Sequence, residues 1–149
     1  MKERFKTPNA VFVVLFREQG DNLETLLQKR QNTGFMDGHW DVAASGHVEK
    51  GESITQAAIR EAQEEIGIEI KESDIKFAGF YYNNFKTVTY CHTYFDVRKY
   101  VGTPKINEPN KCSDIQWFSL KNLPDNMIEE RKLSVFNYLS GKYFGEFGW

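Results

Sequence analysis

The stretch Gly46–Ile68 reads GHVEKGESITQAAIREAQEEIGI, and it joins a glycine-bearing turn to a segment dense in carboxylates. Ser53 is a favourable helix N-cap, and Gln56 three residues later completes a capping-box pattern. Gly67 can adopt the left-handed conformation that commonly ends a helix. The sequence therefore predicts a helix that begins just after Ser53 and ends at Gly67.

This predicted helix carries an apolar stripe beside an acidic one. Apolar residues recur at four-residue steps and predict the core-facing stripe: Ile54, Ala58, Ala62 and Ile66. Glu61, Glu64 and Glu65 follow one another at i, i+3 and i+4, so their carboxylates share a face and repel each other at neutral pH. A divalent cation would turn that repulsion into ligation, because Mg²⁺ prefers a few carboxylates together with waters and substrate phosphates. The alternative is a solvated acidic face that Arg60 partly neutralises.

The spacing of these residues favours the metal-binding interpretation. The stretch is Gly46, five residues, Glu52, seven residues, and then Arg60–Ile68, REAQEEIGI. It resembles the Nudix box of the Nudix hydrolase superfamily, which includes the MutT-like proteins: G-x5-E-x7-R-E-U-x-E-E-x-G-U, where U is a bulky aliphatic residue. Eight of the nine specified positions match. The exception is Ala62, a core-facing position that affects packing rather than chemistry.

The rest of the chain indicates an α+β protein, expected to form a single domain over residues 1–149. The resemblance implies more, namely an α/β/α sandwich with a mixed β-sheet between helices. The predicted strands are Ala10–Phe16, Glu24–Lys29, Asp41–Ser45, Ile75–Tyr82, Lys86–Val97 and Ile115–Leu120. A closing helix is predicted over Asn126–Leu139. Its expected inward residues are Ile128, Leu133, Phe136 and Leu139.

The resemblance implies a metal site on the box. It makes Glu61, Glu64 and Glu65 the metal ligands, joined by the backbone carbonyl of Gly46. The expected ion is Mg²⁺, with Mn²⁺ as an alternative. Metals that bridge a diphosphate would withdraw charge from phosphorus and lower the pKa of a coordinated water.

The resemblance also implies catalytic and supporting roles. Glu52 and Arg60 are expected to form an ion pair that holds the loop and the helix together. The general base stays open, because the superfamily draws it either from the box or from a distant loop. Glu64 or Glu65 is the simpler assignment. Glu108, in the loop INEPNKC, is the alternative, unless it is only an exposed loop acid.

The implied reaction is Mg²⁺-dependent hydrolysis of a nucleoside diphosphate linked to a further group, with a (deoxy)nucleoside triphosphate favoured. ADP-ribose, nucleotide sugars and dinucleoside polyphosphates are alternatives, because specificity depends on loops outside the box. A non-catalytic nucleotide-binding domain is a further alternative. Such domains typically lose box carboxylates, and all of them are present here.

Three features bear on the substrate pocket. Arg30 ends a predicted strand and is a candidate phosphate contact, although a surface arginine is an equal alternative. Asn126, or Asp125 beside it, is a candidate base-reading residue by resemblance to MutT-like nucleotide hydrolases, unless either one caps the last helix. An aromatic cluster offers stacking surface for a base, although core packing is the alternative: Phe80, Tyr81, Tyr82 and Phe85.

The residues that enter the box differ from the common MutT-like form. The chain has Ala44, Ser45 and Gly46 where Pro-Gly-Gly is common, which is similar to a branch that includes the isopentenyl-diphosphate isomerases. Those enzymes use a cysteine where this chain has Ser45, and a serine cannot replace a thiol in that proton transfer, so isomerase activity is disfavoured. His47 either contacts the substrate or metal or is a structural turn residue, and we favour the structural interpretation.

Composition restricts the partners. The net charge is −2 with a pI near 5.9, and there is no basic stripe, so polymeric nucleic acid is not expected as a partner. No segment approaches the length of a membrane span. Cys91 and Cys112 lack metal-ligand spacing and indicate a reducing, cytoplasmic setting. The expected partner is a small nucleotide, and the resemblance is compatible with a homodimer.

Overall fold

The computed structural model of the chain describes residues 2–149, in which eight strands form one mixed sheet with a helix on each face. The strands are β1 (Asn9–Gln19), β2 (Asn22–Arg30), β3 (Trp40–Val42), β4 (Ala44–His47), β5 (Ile75–Asn84), β6 (Thr89–Val97), β7 (Cys112–Ser119) and β8 (Phe144–Gly145). The helices are α1 (Ile54–Ile66) and α2 (Glu129–Leu139), and a 3-10 turn, Glu72–Asp74, precedes β5. This arrangement confirms the predicted α/β/α sandwich.

Strand β1 is the centre of the sheet, and its two halves have different neighbours. The order across the sheet is β3-β2-β1-β6-β5-β8, and β6 runs parallel to β1 along residues 9–15. On the other side, β1 pairs antiparallel with β4 over residues 10–13 and with β2 over residues 16–19. Strands β4 and β2 therefore diverge from the same edge of β1 and leave a gap between them.

Helix α1 forms as its sequence predicts. The Ser53 hydroxyl accepts a hydrogen bond from the Gln56 N–H, and the Gln56 side chain accepts one from the Ser53 N–H, at 3.0 and 2.8 Å. Gly67 has a φ of 68°, and its N–H donates to the carbonyl of Gln63. The helix buries small residues against the sheet, whereas Ile54, which was predicted to face the core, is exposed. The buried residues are Ala57, Ala58, Ala62 and Ile66.

Helix α2 begins three residues later than predicted, at Glu129 rather than Asn126. Its N-cap is Ile128, which makes no side-chain capping bond, so the prediction that Asp125 or Asn126 caps this helix is wrong. A buried aliphatic residue takes the cap position because Met127 and Ile128 pack against the core next to Trp40.

Of the four residues predicted to face inward from α2, Ile128 is buried at the N-cap, and the prediction is wrong for the other three. Leu133, Phe136 and Leu139 are exposed, and the buried residues of the helix are Arg131, Ser134 and Val135. An ion pair between Arg131 and a buried aspartate of β3 sets the rotation of the helix (below), which apolar periodicity does not indicate. Within the described residues, neither α1 nor α2 is long and apolar enough to cross a membrane.

Candidate active site

A cavity of about 850 Å³ opens where β4 and β2 diverge from β1. We call the part beside α1 the acidic end, formed by Gly46, Glu61 and Glu65. We call the part beneath α2 the aromatic end, formed by the rings of Phe12, Phe85, Tyr90 and His92. Further lining residues come from β1, β2, β4, β7, α2 and four connecting loops: Ala10, Gln28, Arg30, Asn32, Thr33, Phe35, Ser45, His47, Glu49, Val88, Glu108, Lys111, Cys112, Glu130 and Arg131.

The acidic end brings two carboxyl groups of α1 against strand β4. A Cβ added to Gly46 would overlap the carboxyl group of Glu61, so only glycine leaves room for that side chain. The Glu65 carboxylate accepts a hydrogen bond from the Ser45 N–H and another from the Gln28 side-chain amide, each at 3.1 Å. These contacts fix the positions of both carboxyl groups at the wall of the cavity.

The Glu65 carboxyl lies in surroundings that disfavour its ionised form. Burial, followed by the neighbouring Glu61 carboxyl, raises the pKa of Glu65 well above its usual value, and the hydrogen bonds from Gln28 and Ser45 oppose this shift only partly. Across residues 2–149 no three His, Cys, Asp or Glu side chains converge into a preformed metal cage. The side-chain donors here are two carboxylates, and the Gly46 carbonyl is the third donor expected from the sequence. That set suits Mg²⁺, which keeps several waters and substrate phosphate oxygens as its other ligands.

Arg60 connects the loop before α1 to the helix. Its Nε and Nη2 donate to the two carboxylate oxygens of Glu52 at 3.0 and 2.7 Å, and Nη2 also donates to the His47 carbonyl at 3.0 Å. Its Nη1 donates to Glu61 and Glu64 at 2.8 and 3.2 Å. The predicted ion pair of Glu52 with Arg60 is therefore present. The Arg60 guanidinium lowers the pKa of Glu52 to about 2 through its hydrogen bonds.

Glu64 lies apart from the other two box glutamates. Its side chain is 49% exposed, and it does not line the cavity. The structure thus brings Glu61 and Glu65 together with Gly46 and leaves Glu64 on the solvent side of α1, beside Arg60.

A buried aspartate, which the sequence analysis did not single out, connects two opposite walls of the cavity. Asp41 is fully buried, and its carboxylate oxygens pair with Nη1 of Arg30 at 3.1 Å and Nε of Arg131 at 3.0 Å. Arg30 also donates from Nε to the Phe35 carbonyl at 2.8 Å. The charge of Asp41 in a predicted strand was the one indication in the sequence of this ion pair, because a buried charge needs a partner. The partner on α2 is 90 residues away in sequence, which no local pattern identifies.

Glu108 lines the cavity from the loop that precedes β7, and it is half-buried. Its carbonyl accepts a hydrogen bond from the Cys112 N–H at 3.1 Å. The same loop is tied to the end of α1, since the N–H of Asn107 donates to the Glu65 carbonyl and its side-chain amide donates to the Glu64 carbonyl, each at 3.1 Å. The loop carrying Glu108 is therefore held against the helix that supplies the box carboxylates.

The predicted base-reading residues lie elsewhere. Asp125 and Asn126 are exposed and do not line the cavity. The Asn126 side-chain amide donates to the Gly38 carbonyl at 3.0 Å, and its backbone carbonyl accepts from the Trp40 N–H. This residue joins the loop before β3 to the segment before α2.

Of the predicted aromatic cluster, Phe85 lines the cavity, whereas Phe80, Tyr81 and Tyr82 do not. Tyr81 is a core residue, stacked on Phe147 with ring centroids 5.2 Å apart. Alternation along β5 puts Phe80 and Tyr82 on the face of the sheet opposite to Tyr81, so these residues do not form one stacking surface.

A row of rings forms the aromatic end. Centroid distances are 4.6 Å from Phe12 to His92, 5.3 Å from His92 to Tyr90 and 6.1 Å from Tyr90 to Phe85. Burial, followed by the positive charge of Arg131, lowers the pKa of His92 to about 3, so its ring is neutral at physiological pH. These residues provide an uncharged surface on which a planar ligand can stack.

Comparisons with known proteins place the chain in a family. The family model described as NUDIX domain matches residues 6–138, and the chain therefore belongs to the Nudix hydrolase family. A nudix hydrolase of Caenorhabditis elegans is 30% identical over 124 residues, which are 79% of this chain and 30% of that protein. A Nudix hydrolase of Listeria monocytogenes is 45% identical over 62 residues, which are 40% of this chain and 34% of that protein. The chain thus spans about a third of the length of these curated relatives.

Solved structures show the same fold. The MutT NUDIX hydrolase from Burkholderia pseudomallei superposes with a TM-score of 0.77 at 20% identity, covering 89% of this chain and 98% of that one. The NUDIX domain of Shewanella oneidensis NrtR, solved as a complex with ADP ribose, superposes with a TM-score of 0.73 at 19% identity, covering 93% and 89%. At these identities the likeness concerns the fold alone.

Proposed function

We propose that the protein is a divalent-cation-dependent pyrophosphohydrolase that cleaves the diphosphate of a nucleotide derivative, with a (deoxy)nucleoside triphosphate as the favoured substrate. The observation that carries this proposal is the meeting of the Glu61 and Glu65 carboxyl groups at Gly46 on the wall of the cavity. A volume of about 850 Å³ lies within the usual range for small-molecule sites.

The acidic end would hold the cation. Glu61, Glu65 and the Gly46 carbonyl would bind Mg²⁺, or Mn²⁺ in its place. Such an ion would supply Lewis-acid polarisation of the diphosphate and acidify the attacking water. Ser45 and Gln28 keep the Glu65 carboxylate turned toward the cavity. Glu64 would have to rotate away from Arg60 to join this set.

The remaining residues assist the hydrolysis. Glu108 lines the cavity from the loop held against the end of α1 and is not one of the proposed metal donors, so we assign it as the general base. It would take a proton from a water whose oxygen forms the new bond to phosphorus, while the bridging oxygen leaves with the other half of the substrate. Arg30 and Lys111 line the same part of the cavity and would contact the phosphates as they gain charge.

Hydrolysis of a substrate panel tests this function. Product formation would be measured for nucleoside triphosphates, ADP-ribose, a nucleotide sugar, a dinucleoside polyphosphate and isopentenyl diphosphate, with Mg²⁺, with Mn²⁺ and with chelator. We expect cleavage that chelator prevents. Glu61→Gln should abolish this cleavage, and Glu72→Gln should retain it. Glu72 is an exposed carboxylate outside the cavity and serves as the matched control.

The panel also separates the alternatives. ADP ribose is included because the Shewanella oneidensis neighbour was solved with it. Isomerisation without hydrolysis would support the isomerase-like alternative, in which Ser45 would have to act in place of a thiol. Ligand binding without turnover of any diphosphate would contradict the hydrolase proposal and favour a non-catalytic nucleotide-binding domain.

A further inference from the structure

The guanidinium of Arg131 offers hydrogen-bond donors to the aromatic end of the cavity. Arg131 is only 6% exposed; its Nε donates to Asp41, and its Cζ lies 4.1 Å from the centre of the Phe12 ring. Arginine has five N–H donors, and the buried Tyr94 hydroxyl is the other polar group beside it. Within residues 2–149 no side-chain nitrogen that is closed off from solvent lacks a partner, so at least one Nη group of Arg131 opens into the cavity.

The surroundings of Arg131 favour an uncharged planar ligand. The carboxylate of Asp41, fully buried and bonded to the same guanidinium, already compensates its charge. Phe12, His92 and Tyr90 continue as a row of rings from the point where the guanidinium lies. A flat heterocycle in the same layer as the guanidinium would stack on these rings and present its polar edge to Arg131.

Glu130, the residue before Arg131, supplies acceptors to the same region. It is half-buried and lines the cavity. Its carboxylate forms no ion pair and accepts no hydrogen bond in the part of the chain that the structure describes, and only its backbone carbonyl is engaged, by the Ser134 hydroxyl at 2.7 Å. At least one guanidinium Nη group and a free carboxylate therefore belong to neighbouring residues on the first turn of α2.

We propose that Arg131 and Glu130 are a specificity-determining pair that selects 6-oxopurine nucleotides, in the order guanine, hypoxanthine, adenine; this rests on the proposed function. An arginine fork pairs with the O6 and N7 acceptors of guanine. A carboxylate accepts from the N1–H and the 2-amino group of the same base. Adenine would set its 6-amino donor against Arg131 and would offer Glu130 no N1–H, which leaves buried polar groups unpaired.

Equilibrium binding of nucleoside monophosphates tests the role of Arg131 and Glu130 without requiring turnover. Dissociation constants of GMP, IMP and AMP would be measured by calorimetry in the absence of divalent cations. IMP has the 6-oxo group but lacks the 2-amino group. The ratio of IMP to AMP affinity therefore reports on Arg131 together with the N1–H contact of Glu130, and the ratio of GMP to IMP affinity reports on Glu130 alone. Each ratio is expected to be about tenfold in the wild-type protein.

Substitutions assign each ratio to its residue. Arg131→Lys keeps a positive charge opposite Asp41 but loses the planar guanidinium, and it should lower the IMP to AMP ratio while leaving the GMP to IMP ratio unchanged. Glu130→Gln should bring the GMP to IMP ratio near one. Glu129→Gln removes an exposed carboxylate from the same helical turn, outside the cavity, and should leave both ratios unchanged. If Arg131→Lys does not fold, as judged by circular dichroism, the half-buried Glu130→Gln variant still decides the outcome.

Three results with the wild-type protein would contradict the proposed role of Arg131 and Glu130. These are equal binding of the three monophosphates, tighter binding of AMP, and binding of none of them. An unchanged GMP to IMP ratio in Glu130→Gln would do the same. Failure of the hydrolase proposal gives a different result, namely base-selective binding without turnover of any diphosphate. Turnover without base preference would leave the hydrolase proposal standing and remove this inference alone.

Discussion

Gly46 and Glu61 are in such close contact that only the hydrogen atom of a glycine fits between β4 and the Glu61 carboxyl group. Gly46 does not have the positive φ that would itself require glycine, so the space beside Glu61 accounts for the residue.

Gly46→Ala should therefore reduce activity more than stability. The new methyl group would displace the Glu61 carboxyl, and a misplacement of about 1 Å in a catalytic constellation can cost about a hundredfold in rate. Overpacking of this kind typically costs about 1–3 kcal/mol in the free energy of unfolding. Steady-state kinetics and denaturant unfolding would measure the two effects. A shorter acid at position 61, in the double variant of Gly46→Ala with Glu61→Asp, should recover part of the rate. Unaltered kinetics in Gly46→Ala would contradict the proposed position of the cation.

The ion pair of Glu52 with Arg60 predicts a pH dependence of stability. The pKa of Glu52 is lowered from 4.5 to about 2, so the folded protein favours the ionised form. The resulting stabilisation is fully present above pH 4.5 and is lost as the pH falls toward 2. The difference in unfolding free energy between the wild-type protein and Glu52→Gln should be constant from pH 5 to pH 8 and shrink below pH 4.5. If this difference in unfolding free energy instead grew as the pH fell, the ion pair of Glu52 with Arg60 would not be the cause of the pH dependence.

Divalent cations should raise the thermal stability of the protein. Without a cation, the raised pKa of Glu65 means that stability falls as the pH rises above 4.5, since the buried carboxyl ionises beside Glu61. Mg²⁺ at one hundred times its Kd would add about 2.7 kcal/mol, or about 5–10 °C in Tm for a chain of this size. Differential scanning calorimetry with Mg²⁺ and with chelator would measure the shift. It should vanish in Glu65→Gln and persist in Glu72→Gln.

Glu108→Gln should reduce kcat by about a hundredfold to ten-thousandfold with little change in KM, because it removes a proton acceptor but keeps the shape of the side chain. Glu69→Gln, a change at an exposed carboxylate outside the cavity, provides the control. A wild-type kcat in Glu108→Gln would return the general base to the box glutamates.

Asn126→Ala should affect stability rather than base preference. The Asn126 amide bonds the Gly38 carbonyl and does not face the cavity, so its loss should cost about 0.5–1.5 kcal/mol in the free energy of unfolding. The relative affinities for GMP, IMP and AMP should stay as in the wild-type protein. A changed preference in this variant would instead support Asn126 as a base-reading residue.

The contacts around α1 were largely predictable because they are local in sequence. The capping box at Ser53, the left-handed Gly67 and the pairing of Glu52 with Arg60 each connect residues within a few helical turns. Their spacing alone therefore indicates which side chains meet. The i+4 spacing indicated the contact of Arg60 with Glu64, which is present. That Glu64 lies outside the cavity was not predictable, since a helical repeat places three glutamates on adjacent faces without stating which of them is exposed.

The contacts of α2 were not predictable for the opposite reason. Its rotation follows from the pairing of Arg131 with Asp41 across 90 residues, and this charge pair outweighs the apolar periodicity that favoured Leu133, Phe136 and Leu139 as inward residues. The same long-range contact brings Glu130 to the cavity. Because the sequence does not show this contact, it suggested Asn126 as the base-reading residue instead.

The two helices lie on opposite faces of the sheet, and the residues that we assign to bond cleavage and to base choice are divided between them. Substitutions at separated sites with no shared partners usually have additive effects. Changes on the first turn of α2 can therefore alter the preferred nucleotide while α1 and its glutamates are left as they are. A lineage built on this scaffold could acquire a new substrate through a few exchanges in one helix, without passing through an inactive intermediate.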